Sequence, residues 1–444
     1  MDGRTYGELV DQETGVIARA VFDSPQVYEV EQRKVFARSW LFVAHASQLR
    51  RAGDFVVSRM GEDSVIVSRQ SDGGIAVLLN VCRHKGMRVC RADEGSATRF
   101  TCAYHGWSYN GAGALVDVPH EADGYRGRLD KARWSLLRVP RVESFLGLVF
   151  ACWDLDAPSL ADWLGPAVDL VRGAFDRSAA GTEVLGGVQK WRLRGNWKLA
   201  AEQFTGDNYH AETTHSSAFT AQIAARAFDE EVFQRLADVG REGSGMVNVG
   251  FPHGHGATVI TGGEEAFRAF HTAALPPELH STVDPARAHE RLGELAFGPG
   301  TMVNLVCPNL AWLGNQRTLR VFHPHGPDAM EIWSWVYVDA DWPEETKQAY
   351  RRHSTRSFST TGIFEVDDSE NWAEINAVGA GHVTARVPLN YQMGLGRDTG
   401  GVNSAYSDTS ALNFHRRWVE LMDGPDPRLP DLSPAPLLPE PEDG

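Results

Sequence analysis

Along the chain the spacing of apolar positions changes twice. Val16, Ile17, Ala20 and Val21, followed by Tyr28, Val30, Val35 and Phe36, recur at helical intervals and break at Ser39, so residues 1 to 37 read as helical. From Trp40 to about Trp153 the runs shorten: FVVSRM, SVIVSRQ, IAVLLNVC and LGLVFACW alternate with Gly, Asp and Ser turns, predicting a small antiparallel β domain over 38–156. Beyond Asp154 helical segments return at 158–176 and Asn196–His215, and strands at MVNLV, LRVFH and IWSWVYVDA. DWPEETKQAYRRHSTRSF starts acidic and ends basic, as a helix whose ends complement its dipole does. The expected class is α+β, with 157–444 as a second domain whose Pro-rich tail from about 424 is extended.

Composition narrows the functions open to such a chain. Its 444 residues suit two domains, and no apolar run approaches the roughly 20 residues that span a bilayer. The first residues, MDGRTYGELVDQETG, lack the basic-then-apolar order of a secretory signal, so a cytoplasmic protein is expected. A net charge of -15 repels nucleic acid and anionic lipid. Five cysteines are too few and too spread for a disulfide scaffold, which directs attention to any cysteine near a histidine.

Two such places exist. NVCRHKGMRVC contains Cys82-x-His84, and TCAYHGWSY contains Cys102-x-x-His105, so each loop offers one thiolate and one imidazole. A Rieske [2Fe-2S] cluster needs that split, since two cysteines hold one iron and two histidines the other. Gly86 and Gly106 follow the histidines and let each loop turn tightly. Structural zinc also accepts two sulfurs and two nitrogens, but its sites usually pair ligands of one kind at short spacing. Cys90, Cys152 and Cys307 read as inert buried thiols.

A second constellation lies in NWKLAAEQFTGDNYHAETTH, which carries Glu202, Asp207, His210, Glu212 and His215. Two histidines and a carboxylate bind ferrous iron on one face and leave the other open. On a regular helix, His210 and His215 stand about 140° apart, so they converge only where the helix widens or breaks. FEVDDSENW supplies two candidate third ligands, Asp367 and Asp368. The pair His253 and His255 in FPHGHG reads as a Gly-rich loop or lid rather than a third metal site.

With both constellations in view, the chain resembles the large subunit of the bacterial Rieske non-haem iron aromatic-ring-hydroxylating dioxygenases, the biphenyl, toluene and naphthalene dioxygenase group. NVCRHKGMRVCR, FTCAYHGWSYN, GNWKLAAEQFTGDNYH, FHPHGPDAMEIWSWVYVDAD, FEVDDSENW, QMGLG and NFHRRWVELM carry the resemblance over nearly the whole length. It implies Cys82, His84, Cys102 and His105 as cluster ligands, and His210, His215 and Asp368 as ligands of a mononuclear Fe(II). It further implies Asp207 as a bridge from an iron-ligand histidine to a cluster histidine of the next subunit. The implied fold is a Rieske domain inserted in a helix-grip catalytic domain with an antiparallel sheet flanked by helices. The implied assembly is a trimer, often with a small β subunit. Gln203, Phe204, Asn208, Ala211, Phe358 and Phe364 are implied as pocket residues. Gln203 stands where the naphthalene enzymes carry Asn, while the His210–His215 spacing is one shorter than in biphenyl enzymes.

The expected reaction adds both atoms of O2 to an aromatic ring, giving a cis-dihydrodiol. Electrons from NAD(P)H come through a separate reductase and ferredoxin, since no flavin or nicotinamide motif occurs here. Arg83, Lys85, Arg88 and Arg91 around the first loop are a candidate landing patch for an acidic donor. A Rieske monooxygenase or demethylase, and a non-enzymatic electron carrier, are the alternatives.

Overall fold

A computed structural model describes residues 5–224, 245–273, 275–397, 401–433 and 436–439. The first four residues and the last five of the Pro-rich tail lie outside it. By their internal contacts the residues form two compact units, one of 1–36 with 158–426 and one of 37–157 with 427–444.

The smaller unit is built from three antiparallel sheets. Ile75–Leu79, Asp63–Arg69, Asp54–Met60 and Glu94–Ser96 form one, and Leu115–Asp117, Ser108–Asn110 and Arg99–Thr101 another. Arg141–Phe145, Leu148–Cys152 and Leu41–His45 make the third. Alternation along the first two places Phe55, Ile66, Leu78, Phe100, Tyr109 and Leu115 in one core with Cys82 and Cys102. The end of the chain was expected with the other domain, yet it packs here. Arg428 binds both carboxylate oxygens of Asp156 at 2.9 and 2.7 Å, and Arg128 exchanges hydrogen bonds with the Leu438 backbone. Among its described residues this Pro-rich segment has no helix or strand, and such anchors hold it.

The larger unit centres on an eight-stranded antiparallel sheet. Its order is Thr182–Arg194, Ala329–Asp339, Thr318–Pro324, Leu310–Leu313, Val303–Val306, Gly256–Ile260, Met246–Gly250 and Val402–Ser404. Helices Glu344–Ser357, Glu365–Gly379 and Thr409–Asp423 belong to the same unit. The N-terminal stretch departs from the helical expectation. Val10–Asp11 and Val16–Ile17 form a hairpin paired with Leu389–Asn390, because β-branched Val16 and Ile17 follow the turn residue Gly15. After a 3-10 turn at Tyr6–Leu9, α-helix begins only at Ala20, stops at Ser24, and restarts at Pro25 with the Ser24 hydroxyl capping Val27 N–H.

Candidate metal centres

In the smaller unit the two Cys-His loops follow one template. Cys82 N–H donates to Met87 C=O and Gly86 N–H to Cys82 C=O; Cys102 N–H donates to Trp107 C=O and Gly106 N–H to Cys102 C=O, all at 2.8–3.0 Å. Gly86 and Gly106 have φ of 76° and 77°, the left-handed conformation that closes each turn without strain. The His84 and His105 rings stand 4.5 Å apart. Tyr109 places its hydroxyl 3.4 Å from Cys82 Sγ.

Exposure separates the two histidines. His84 is half-buried and stacks on Trp107, whereas His105 is exposed beside Tyr104. His84 Nδ1 is buried with no protein partner, and burial pushes the Cys82 thiol up. An orphaned imidazole nitrogen and a thiol disfavoured as a free anion are what ligation to a cationic cluster relieves, so the donor set fits. Cys90, Cys152 and Cys307 are buried, and for all three burial raises the thiol.

In the larger unit the break expected between the two histidines lies instead before His210, and the residues between them are helical. Trp197–Gln203 is helical, capped by Asn196 Oδ1 on Lys198 N–H, and helix resumes at Ala211–Thr214. Gly206 sits between them at φ 130°, where a Cβ would come 2.6 Å from Asn248 Oδ1. The break turns both imidazoles toward the helix Glu365–Gly379. Nε2 of His210 and of His215 lie 3.4 and 3.5 Å from the same Asp368 Oδ1. One ligand atom from each of these three residues falls within 4.8 Å of the others.

The two candidate aspartates take different places. Asp367 turns Oδ2 toward His215 Nδ1 at 3.4 Å, as Asp207 Oδ2 faces His210 Nδ1 at 3.2 Å. Each histidine therefore has a carboxylate behind it and shows Nε2 to the centre, the arrangement that fixes a ligand imidazole. Burial lifts Asp368 to about 7, and a bound cation removes that penalty. Burial and then His210 hold His215 down to about 4, leaving it neutral and able to coordinate.

Of the expected pocket residues, Gln203 meets the three-residue set directly. Its Nε2 donates to Asp368 Oδ1 at 2.9 Å and its Oε1 accepts from Trp372 Nε1 at 2.8 Å. Phe364 packs edge-on against His215, and Phe358 stacks on Phe364. Ala211 is half-buried beside His210. Phe204 is instead buried between Phe322 and Arg320, and the Asn208 amide is bound to Asn248 and Thr258 in the sheet. Sequence reasoning missed Phe219, which touches Phe364 and lies four residues after His215, a helical offset that could have flagged it. It also missed the buried pair Arg320–Glu365. His253 and His255 form no lid, since both donate to Trp163 C=O while His255 Nδ1 accepts Cys307 N–H.

Comparison with known proteins adds to this geometry. Residues 39–141 match the Rieske [2Fe-2S] domain, and 182–424 match the ring hydroxylating alpha subunit (catalytic domain). The chain belongs to the ring-hydroxylating dioxygenase alpha-subunit family. Biphenyl 2,3-dioxygenase subunit alpha of Rhodococcus jostii (strain RHA1) is 41% identical over 439 residues, covering 94% of this chain and 91% of that one. A benzene 1,2-dioxygenase subunit alpha of Pseudomonas putida is 40% identical over 429 residues, covering 94% and 93%. The solved structure of a naphthalene 1,2-dioxygenase with indole in its active site superposes with a TM-score of 0.86 at 30% identity, covering 95% of each chain. This alpha subunit is thus an oxidoreductase that adds dioxygen to an aromatic ring, with a Rieske [2Fe-2S] cluster and a mononuclear iron as cofactors. The monooxygenase alternative gives way to that reading.

Proposed function

We propose that His210, His215 and Asp368 hold the mononuclear Fe(II), that Cys82, His84, Cys102 and His105 hold the cluster, and that the substrate is an apolar aromatic hydrocarbon made into a cis-dihydrodiol. The observation that carries this reading is the convergence of two Nε2 atoms on Asp368 Oδ1 with a carboxylate behind each Nδ1. When bound, iron at this place supplies open positions for O2 reduction and the cluster supplies single electrons. The chain does the rest. Gln203 orients the Asp368 carboxylate, and Asp207 and Asp367 set the imidazole tautomers. Phe358, Phe364 and Phe219 give the flat apolar wall that a hydrocarbon ring needs and water avoids. Relatives named for biphenyl, benzene and chlorobenzene support a hydrocarbon over an aromatic acid.

The site residues also suggest partners. Asp207 is partly exposed and His105 is exposed, which suits a hydrogen bond from His105 of one subunit to Asp207 of the next in a trimer, with or without a small β subunit. Lys85, Arg88 and Arg91 are exposed, while Arg83 is engaged with Trp134 and Ser135, so the first three form the landing patch for a ferredoxin or reductase. Among the described residues no helix is long and apolar enough to cross a membrane, in keeping with a cytoplasmic enzyme.

The test is turnover of biphenyl, benzene and naphthalene against benzoate with a surrogate electron-transfer chain under ¹⁸O₂. A hydrocarbon-derived diol with two labelled oxygens is expected. One labelled oxygen, or turnover of benzoate alone, would overturn the reaction or the substrate class respectively.

A further inference from the structure

Apart from the metal centres, the larger unit encloses a cavity of about 170 Å³ between the sheet at Tyr337 and Asp339 and the helical segments at Phe267 and Ala288. Three guanidinium groups reach it: Arg177, Arg287 and Arg317. Two are matched by carboxylates. Arg317 donates to Asp339 Oδ1 at 2.8 Å, and Arg287 pairs with Asp341, which also accepts from the Ser178 hydroxyl. Arg177 is not matched. Its Nη1 donates to Gly173 and Ala296 C=O at 3.1 and 2.9 Å, and its guanidinium lies over the Phe267 ring. Among the described residues no carboxylate comes within ion-pair distance of it.

A charge without a bonded partner in such surroundings is costly: burial and the neighbouring Arg317 outweigh the more distant carboxylates of Asp339 and Asp284 and lower the Arg177 pKa to about 10. The same wall holds His271, whose Nδ1 and Nε2 both face carbonyl oxygens, of Phe267 at 2.9 Å and Thr301 at 3.1 Å. That imidazole brings no negative charge to offset Arg177. Arg317 keeps a left-handed backbone, φ 48°, which a side chain tolerates only where its surroundings demand it. The remaining walls mix carbon, from Phe267, Leu275, Val283 and Trp342, with polar groups that include Thr282 and Asp284, and the cavity has room for several water molecules.

We propose that this cavity binds a small organic carboxylate, with Arg177 taking the carboxylate and the apolar body lying against Phe267 and Trp342. A guanidinium offers the planar fork that matches a carboxylate, while the rings of Phe267 and Trp342 favour an organic body over phosphate. The inference is independent of how the iron is held.

Titration calorimetry on the purified holoenzyme with benzoate, benzyl alcohol and inorganic phosphate tests it. Benzoate is expected to bind, benzyl alcohol and phosphate not. Because benzoate could also enter the iron pocket, the titration is repeated on two variants, with thermal unfolding recorded for each. Arg177→Gln is expected to weaken benzoate binding at least about tenfold, while His210→Ala leaves it unchanged. If Arg177→Gln does not fold, Arg177→Lys replaces it, and weaker binding is again expected because the fork is gone. No benzoate binding, phosphate binding more tightly than benzoate, or benzoate lost in His210→Ala and kept in the Arg177 variant would each overturn the proposal.

Discussion

Gln203 shows how one donor-only neighbour fixes a site. The Trp372 indole can only donate, so the oxygen of the Gln203 amide must face it and the nitrogen must face Asp368. That leaves Asp367 and Asp368 with separate tasks, and substitution separates them. Asp368→Ala is expected to lose the mononuclear iron, whereas Asp367→Asn keeps it with about 10- to 100-fold weaker affinity. Iron titration into the metal-depleted protein, followed by calorimetry, reads both; equal loss in the two variants would contradict the assignment. In the smaller unit, Tyr109→Phe removes the hydroxyl beside Cys82 Sγ. A hydrogen bond to a cluster sulfur stabilises the reduced, more negative state, so the variant should show a lower reduction potential in a dye-linked titration. An unchanged potential would mean that the Tyr109 hydroxyl does not act on the cluster.

At the level of elements, the chain's own pattern located the short strands of the smaller unit and the helix Glu344–Ser357, because period-two alternation and a charge gradient are local signals. It misplaced the break near His210 and His215: the residues between them, Ala211–Thr214, are helical, and the helix is interrupted before His210. The hairpin at Val10–Ile17 was missed because its pairing partner, Leu389–Asn390, lies more than 370 residues away. The helix break rests on Gly206, whose backbone angle and close neighbour Asn248 exclude a side chain. Gly206→Ala is expected to cost about 2 kcal/mol or more in urea unfolding and to lower iron occupancy as His210 shifts. Retained iron and stability would show that the break tolerates a Cβ.

For the whole molecule, the candidate ligands were legible and their surroundings were not. Metal chemistry demands particular residue types at particular spacings, so Cys82, His84, Cys102, His105, His210 and His215 announce themselves in the sequence. Phe204 and Asn208, by contrast, differ from Phe358 and Phe364 only in which way the fold turns them, and Arg177 gains its meaning from charges on distant strands. Stability as a function of pH is another property of the assembled fold. Burial holds His255 and His353 down to about 4, against about 6.5 in an unfolded chain. The unfolded chain then takes up protons that the folded one refuses. The contribution of these rings is complete above about pH 6.5 and lost as pH falls toward 4, at about 1.4 kcal/mol per unit for each. Urea midpoints should therefore drop between pH 7 and pH 5. His353→Gln, which still offers a donor to Gln316 Oε1, should flatten that slope; an unchanged slope would mean that His353 titrates as it does when unfolded.

The paired carboxylates behind the two histidines are not equivalent. Asp207 has 41% of its side chain exposed, Asp367 23%, and Asp368 only 4%. Read as wiring, the centre has a terminal on the His210 side and insulation on the Asp368 side. Traffic of charge with the outside is thereby confined to one direction, and the aromatic wall near His215 is left to chemistry that must stay dry.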